Sequence, residues 1–274
     1  MQKTQSSLAL KLVESALMIA LATVLSLIKL VDLPYGGSVT AASMMPLVII
    51  AYRYGVVWGL FTGLAHGLIQ FLLGTSVLSW VTGWQSIIAV ILLDYLVAFL
   101  VIGLAGVFRG MKRQSTALVL GAILAGAARY ICHVISGCTV WAGLSIPTTD
   151  ALVYSLAYNA TYMLPETIIL AVAVFYLGSA LDFRSTAIKR VPAEEKRPVV
   201  ATVVSLVAKG LLVAAAVFAT AEVFAHLQNA DTGDFDITGL SNVPWEMVGI
   251  VCAVCVVFSV ILFVVRNTMS TKKA

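Results

Sequence analysis

Apolar runs long enough to cross a bilayer recur along almost the whole chain, and they limit its fold more than any other feature. A hydrocarbon core about 30 Å thick takes roughly 20 helical residues. Eight runs are readable, at about residues 11–30, 39–52, 56–73, 86–108, 116–140, 152–181, 200–226 and 246–265. The second is the shortest, and Arg53, Tyr54 and Gly55 follow it directly, so a tilted or partly inserted helix is expected there. Of the 274 residues 61% are hydrophobic and 11% charged, too little polar material to cover a soluble globule. The expected fold class is an all-α polytopic membrane protein. No small-residue cleavage site follows the first run, which is read as a span and not as a cleaved leader.

The net charge of +4 reflects sidedness and not nucleic-acid binding. If the eight spans alternate, Lys3, Lys11, Arg53, Arg109, Lys112, Arg113, Arg184, Lys189, Arg190, Lys196, Arg197, Arg266, Lys272 and Lys273 all fall on one side. The positive-inside rule makes that side the cytoplasm, so both termini are expected to be cytoplasmic in a multi-pass protein of the cell membrane. Lys29 lies near the opposite face, with Asp231, Asp234, Asp236 and Glu246 in the last outer loop. The polar segment 182–199 reads as a linker between a membrane domain, 1–181, and an extension of two helices, 200–274. No G-x-x-x-x-G-K-[ST] loop is present, so any ATP drive must come from a partner.

Cys132, Cys138, Cys252 and Cys255 lie within the spans and read as small apolar filler. The C-x-x-C at 252–255 has no second pair or histidine beside it, and no metal or cofactor is expected. Glycines 55, 59, 63 and 67 repeat every four residues, which gives the third span a smooth face for close helix packing.

Ionisable residues at bilayer depth are costly and usually face a protein interior or a water-filled cavity. The stretch RYICHVISGCTVW, 129–141, carries Arg129 and His133 in such a setting. His133, Gly137 and Trp141 are spaced i, i+4, i+8 on one helix face, and Gly137 leaves a gap in which a flat ligand fits. Asp94 in span four, followed by Tyr95, and Tyr154 and Asn159 in span six lie with His133 in the outer third, and Tyr154, Tyr158 and Tyr162 form one stripe beside Asn159. A carboxylate, an imidazole, an amide and several aromatics suit a small, flat, cationic heterocycle. Arg129 and Glu166 lie deeper on neighbouring spans and read as a structural ion pair.

At these residues spans one to six resemble the thiamine-binding S component of energy-coupling-factor transporters. The resemblance runs from about 11 to 181, through SALMIALATVLSLI at 15–28, MPLVIIAYRYG at 45–55, LDYLVAFLVIGLAGVFR at 93–109, RYICHVISGCTVW at 129–141 and YSLAYN at 154–159. It implies a six-helix bundle, with 200–265 as two additional helices that have no counterpart in the family. It also implies Asp94, Tyr95, His133, Trp141, Tyr154 and Asn159 as thiamine contacts, with Trp84 in the loop before span four as a weaker match. Ala16 and Ala20 correspond to the Ala-x-x-x-Ala that meets the transmembrane coupling subunit, which works with two ATPase subunits. Asp94 stands where the family usually has glutamate, and Gly37 where it has an aromatic.

The function implied is a non-enzymatic, substrate-binding subunit for thiamine uptake. The same fold with a thiamine precursor or another heterocyclic vitamin is the nearest alternative. An intramembrane hydrolase built on Ser136 and His133 lacks the G-x-S-x-G elbow. A structural or sensory membrane protein would bind no stoichiometric ligand.

Overall fold

In lipid the backbone must satisfy its own polar groups, so the apolar runs become helices. The computed structural model describes residues 7–33, 36–79, 81–143, 148–191, 199–227 and 237–271. Helix α1, Leu8–Leu27, opens on Ser7, whose hydroxyl accepts from the Leu10 N–H at 3.2 Å. A hairpin of β1, Lys29–Asp32, and β2, Ser38–Thr40, then leads to α2, Met45–Tyr54. The long helices α3, Val56–Leu73, α4, Trp84–Gly110, α5, Gln114–Gly143, and α6, Thr148–Ala180, complete the first unit. Two short paired strands follow, β3, Leu181–Asp182, and β4, Lys189–Arg190. Helices α7, Val199–His226, and α8, Trp245–Thr271, form the second.

The second expected span, 39–52, is corrected at its start, because residues 38–40 form strand and the helix begins only at Met45. Ten residues reach about 15 Å, half the hydrocarbon thickness. Helix α2 is a buried central post, with every residue from Pro46 to Arg53 inside the protein. Among the described residues, seven other helices are long and apolar enough to cross a membrane. The chain divides into two compact units, Met1–Val191 and Pro192–Ala274.

In the first unit, Leu47 of α2 forms one core with Ile102, Leu118 and Leu170, all with almost no exposure. Helix α4 is irregular: α-helical at Trp84–Ala89, π-helical at Val90–Val97, and 3-10 at Val101–Gly110. The glycine face of α3 meets it directly. A methyl group on Gly59 would stand 2.6 Å from Ala51 Cβ and 2.9 Å from Gly103 Cα, and one on Gly67 would stand 2.6 Å from the Tyr95 carbonyl oxygen. The repeat therefore serves packing inside the fold.

Basic residues gather at one end of this unit. The Arg53 guanidinium donates to both Glu14 oxygens, at 2.9 and 3.0 Å, and to the carbonyls of Phe183, Ser185 and Thr186. Arg109 donates to the Arg53 carbonyl at 3.2 Å, and Arg184 to the Tyr52 hydroxyl and the Met111 carbonyl. In the second unit α7 and α8 run antiparallel, tied by Ser259 Oγ donating to the Ala208 carbonyl at 2.9 Å and by Cys252 Sγ near the Ala215 carbonyl at 3.8 Å.

Overpacking a close helix contact costs about 1–3 kcal/mol, and more where the obstacle is backbone. Gly59→Leu should therefore lower the thermal midpoint of the purified protein and the yield of monodisperse material. Gly210→Ala, where an added Cβ meets nothing within 4 Å, should leave both unchanged. Size-exclusion profiles after heating steps measure the difference.

Candidate binding site

A cavity of about 450 Å³ lies in the first unit, walled by the β1–β2 hairpin and by α3, α4, α5 and α6. That volume is in the range of small-molecule sites, about 300–1,000 Å³. Of its two acids, Glu166 comes from α6 and Asp94 from the π-helical part of α4, where the wider turn re-aims side chains relative to a regular helix. Asp94 Oδ1 lies 2.8 Å from His133 Nδ1, and Asp94 Oδ2 accepts from Ser136 Oγ at 2.8 Å. On its far side, His133 Nε2 faces Arg129 Nη2 at 3.4 Å. A guanidinium can only donate, so Nε2 is the accepting nitrogen and Nδ1 carries the hydrogen given to Asp94. The side chain of Asp94 keeps 27% of its surface open despite these bonds.

Helix α6 supplies the amide and the aromatics. Asn159 Nδ2 donates to the Ser155 carbonyl at 2.8 Å and the His133 carbonyl at 3.3 Å, while its Oδ1 accepts from the Tyr162 hydroxyl at 2.6 Å. Tyr162 stands edge-on to both His133 and Tyr158, with centroids 6.1 and 5.7 Å away. The Tyr158 hydroxyl accepts from the Gly37 N–H at 3.0 Å, which fastens the hairpin to α6. Tyr95 donates to the Gly74 carbonyl at 3.1 Å and packs edge-on against Phe71.

Asp94, Tyr95, His133 and Asn159 thus share one cavity wall. Tyr154 is buried but absent from that wall, whose tyrosines on α6 are Tyr158 and Tyr162, and Trp84 is 68% exposed at the start of α4. Trp141 belongs to the last turn of α5, and its side chain lies outside the described residues. Ala16 and Ala20 are exposed on α1.

Two expectations need correction. Arg129 and Glu166 both reach the wall but do not pair: Glu166 Oε1 accepts from Thr40 at 2.8 Å and Ser43 at 3.3 Å, while Arg129 donates to Met44 Sδ at 2.6 Å and stacks 4.6 Å from the Phe99 centroid. Thr40 and Ser43 precede α2 in non-helical chain, which sets their hydroxyls against α6. Gly137 does line the cavity, but the gap expected beside it is narrowed, because Ser155 Oγ and Asn159 Nδ2 fill the direction a Cβ would take. Close approach of α5 and α6 is what Gly137 permits. Ser136 binds Asp94 and not His133, so the serine and histidine do not form a nucleophile–base pair.

The chain matches the family described as Thiamine transporter protein (Thia_YuaJ) over residues 12–183. It is 36% identical over 185 residues to the Thiamine transporter ThiT of Bacillus subtilis (strain 168), covering 63% of this chain and 92% of that one. Identity to the Thiamine transporter ThiT of Lacticaseibacillus paracasei is 27% over 158 residues, covering 53% of this chain and 71% of the relative. A solved structure of ThiT from Listeria monocytogenes is 26% identical with a TM-score of 0.49, covering 61% of this chain and 92% of that one. The family match takes in the greater part of the chain and every residue of the cavity wall, and the chain belongs to the thiamine transporter family.

Proposed function

We propose that this protein captures thiamine in the cavity as the substrate-binding membrane subunit of an energy-coupling-factor transporter. The observation that carries the reading is Asp94, an acid partly open to a cavity whose wall also bears His133, Tyr158 and Tyr162. Thiamine is a thiazolium cation joined to a flat aminopyrimidine. A carboxylate offers the counter-charge, aromatic faces attract the cation, and Asn159 and Tyr95 offer polar edges. Trp141, two turns beyond His133 on α5, belongs to the proposal as a stacking partner. Tyr154 and Trp84 enter it only as contacts completed when ligand is bound.

The basic end, with Arg53, Arg109 and Arg184, is taken as cytoplasmic, which puts both termini inside and turns the hairpin and cavity outward. Energy must then come from elsewhere, since the sequence carries no phosphate loop. The exposed Ala16 and Ala20 offer a smooth patch on α1 for a coupling subunit that joins this chain to two ATPase subunits.

Charge is tested by Asp94→Asn, which keeps the shape of the side chain. Thiamine binding should weaken by about 1.5–3 kcal/mol, the scale of hydrogen bonds to charged groups, while a neutral thiophene analogue should lose little. Calorimetry with both ligands measures this, and equal losses would make Asp94 a structural residue. Coupling is tested by Ala16→Trp and Ala20→Trp. Both should abolish ATP-dependent thiamine uptake in vesicles supplied with the partner subunits, while the purified variants bind thiamine like the parent. Uptake that persists in both variants would refute the coupling surface.

A further inference from the structure

We infer that Ser136 is a positioning residue that orients Asp94 and thereby sets how strongly the cavity prefers a cationic ligand over a neutral one. The inference rests on the reading of Asp94 as the counter-charge to thiamine. Ser136 is fully buried, with 0% exposure, where an alanine would fill nearly the same space. A hydroxyl in such a place is costly unless it is bonded. Several hydroxyls on α5 and α6 solve this locally, Thr139 donating to the Ser136 carbonyl, Thr161 to that of Tyr158 and Thr167 to that of Met163, while the equally buried Ser155 donates across to the Val134 carbonyl at 2.8 Å. Ser136 instead reaches across to α4 and donates to Asp94 Oδ2 at 2.8 Å.

His133 and Ser136 are three residues apart on α5, so they present two donors side by side. They take different oxygens of the same carboxylate, each at 2.8 Å. One bond would leave the carboxylate free to turn about its last torsion. Two fix its plane, so its remaining lone pairs are presented to the cavity in one orientation before ligand arrives. Preorganisation of this kind raises affinity by lowering the ordering cost of binding. The arrangement fits the length of aspartate. A glutamate would carry its carboxylate one methylene beyond the reach of this pair, nearer the ligand and less dependent on Ser136.

The test is calorimetry on purified wild type, Ser136→Ala, Asp94→Glu and the double variant, with thiamine and its neutral thiophene analogue. Ser136→Ala should weaken thiamine about tenfold, the scale of one lost charge-assisted bond, and the neutral analogue less than about twofold. In the Asp94→Glu background the same substitution should cost less than about twofold for either ligand. Equal losses for the two ligands, or an undiminished thiamine loss in the glutamate background, would reduce Ser136 to a packing residue and overturn the inference. In ligand-free protein, a thermal-stability cycle of Ser136→Ala with Asp94→Asn should be non-additive, and additivity would overturn the inference alone. A wild type whose thiamine affinity ignores Asp94→Asn would overturn the reading of the counter-charge and this inference with it.

Discussion

A carboxylate inside a lipid-embedded bundle is stable only if the protein supplies what water would have supplied. Asp94 has this support from α5, through His133 on one oxygen and Ser136 on the other. The support continues outward, since Arg129 holds the far nitrogen of His133 and is itself lodged against Met44 and Phe99. Remove any member and a buried group is left half satisfied, at a cost of about 1–3 kcal/mol or more for a charged one. The positions of α4, α5 and the start of α2 are tied together by this chain of contacts. The same chain leaves Asp94 partly open toward the cavity.

The other end of the first unit follows the same rule with a different solvent beside it. Arg53 binds Glu14 from α1 and three carbonyls of the segment after α6, so one guanidinium joins the first helix to the last part of the unit. Between the two polar ends, glycines bring α3 into backbone contact with α4. That contact accompanies the change from π-helix at Val90–Val97 to 3-10 helix at Val101–Gly110, and Asp94 sits in the wide-turn part. Geometry at the site thus depends on packing at residues that never reach the cavity.

Much of the helical framework was legible from hydropathy alone, because apolar runs of bilayer length have few other structures open to them. The short second helix is visible as a short run, but its start is not, because Ser38–Thr40 form strand and the helix begins only at Met45. Thr40 and Ser43 precede that helix, and their hydroxyls engage Glu166, an acid that similar depth on neighbouring spans pairs with Arg129 in the sequence. Depth along a helix is readable from sequence, whereas the direction a side chain faces across the bundle is not. The π-helical turn has no periodic signature, and it decides where Asp94 and Tyr95 point. Ser136 was visible beside His133, yet spacing on one helix could not reveal that its partner stands on another. The exposed position of Trp84 follows from a helix that begins at that residue, a boundary that hydropathy locates only to within a few residues.

The proposed role of every residue on the cavity wall depends on the cavity holding thiamine. The most direct test is a calorimetric titration of the purified, folded wild-type protein with thiamine. One thiamine should bind per chain with a Kd below about 1 µM, equivalent to about −8 kcal/mol or better. Folded protein that shows no saturable binding would contradict this.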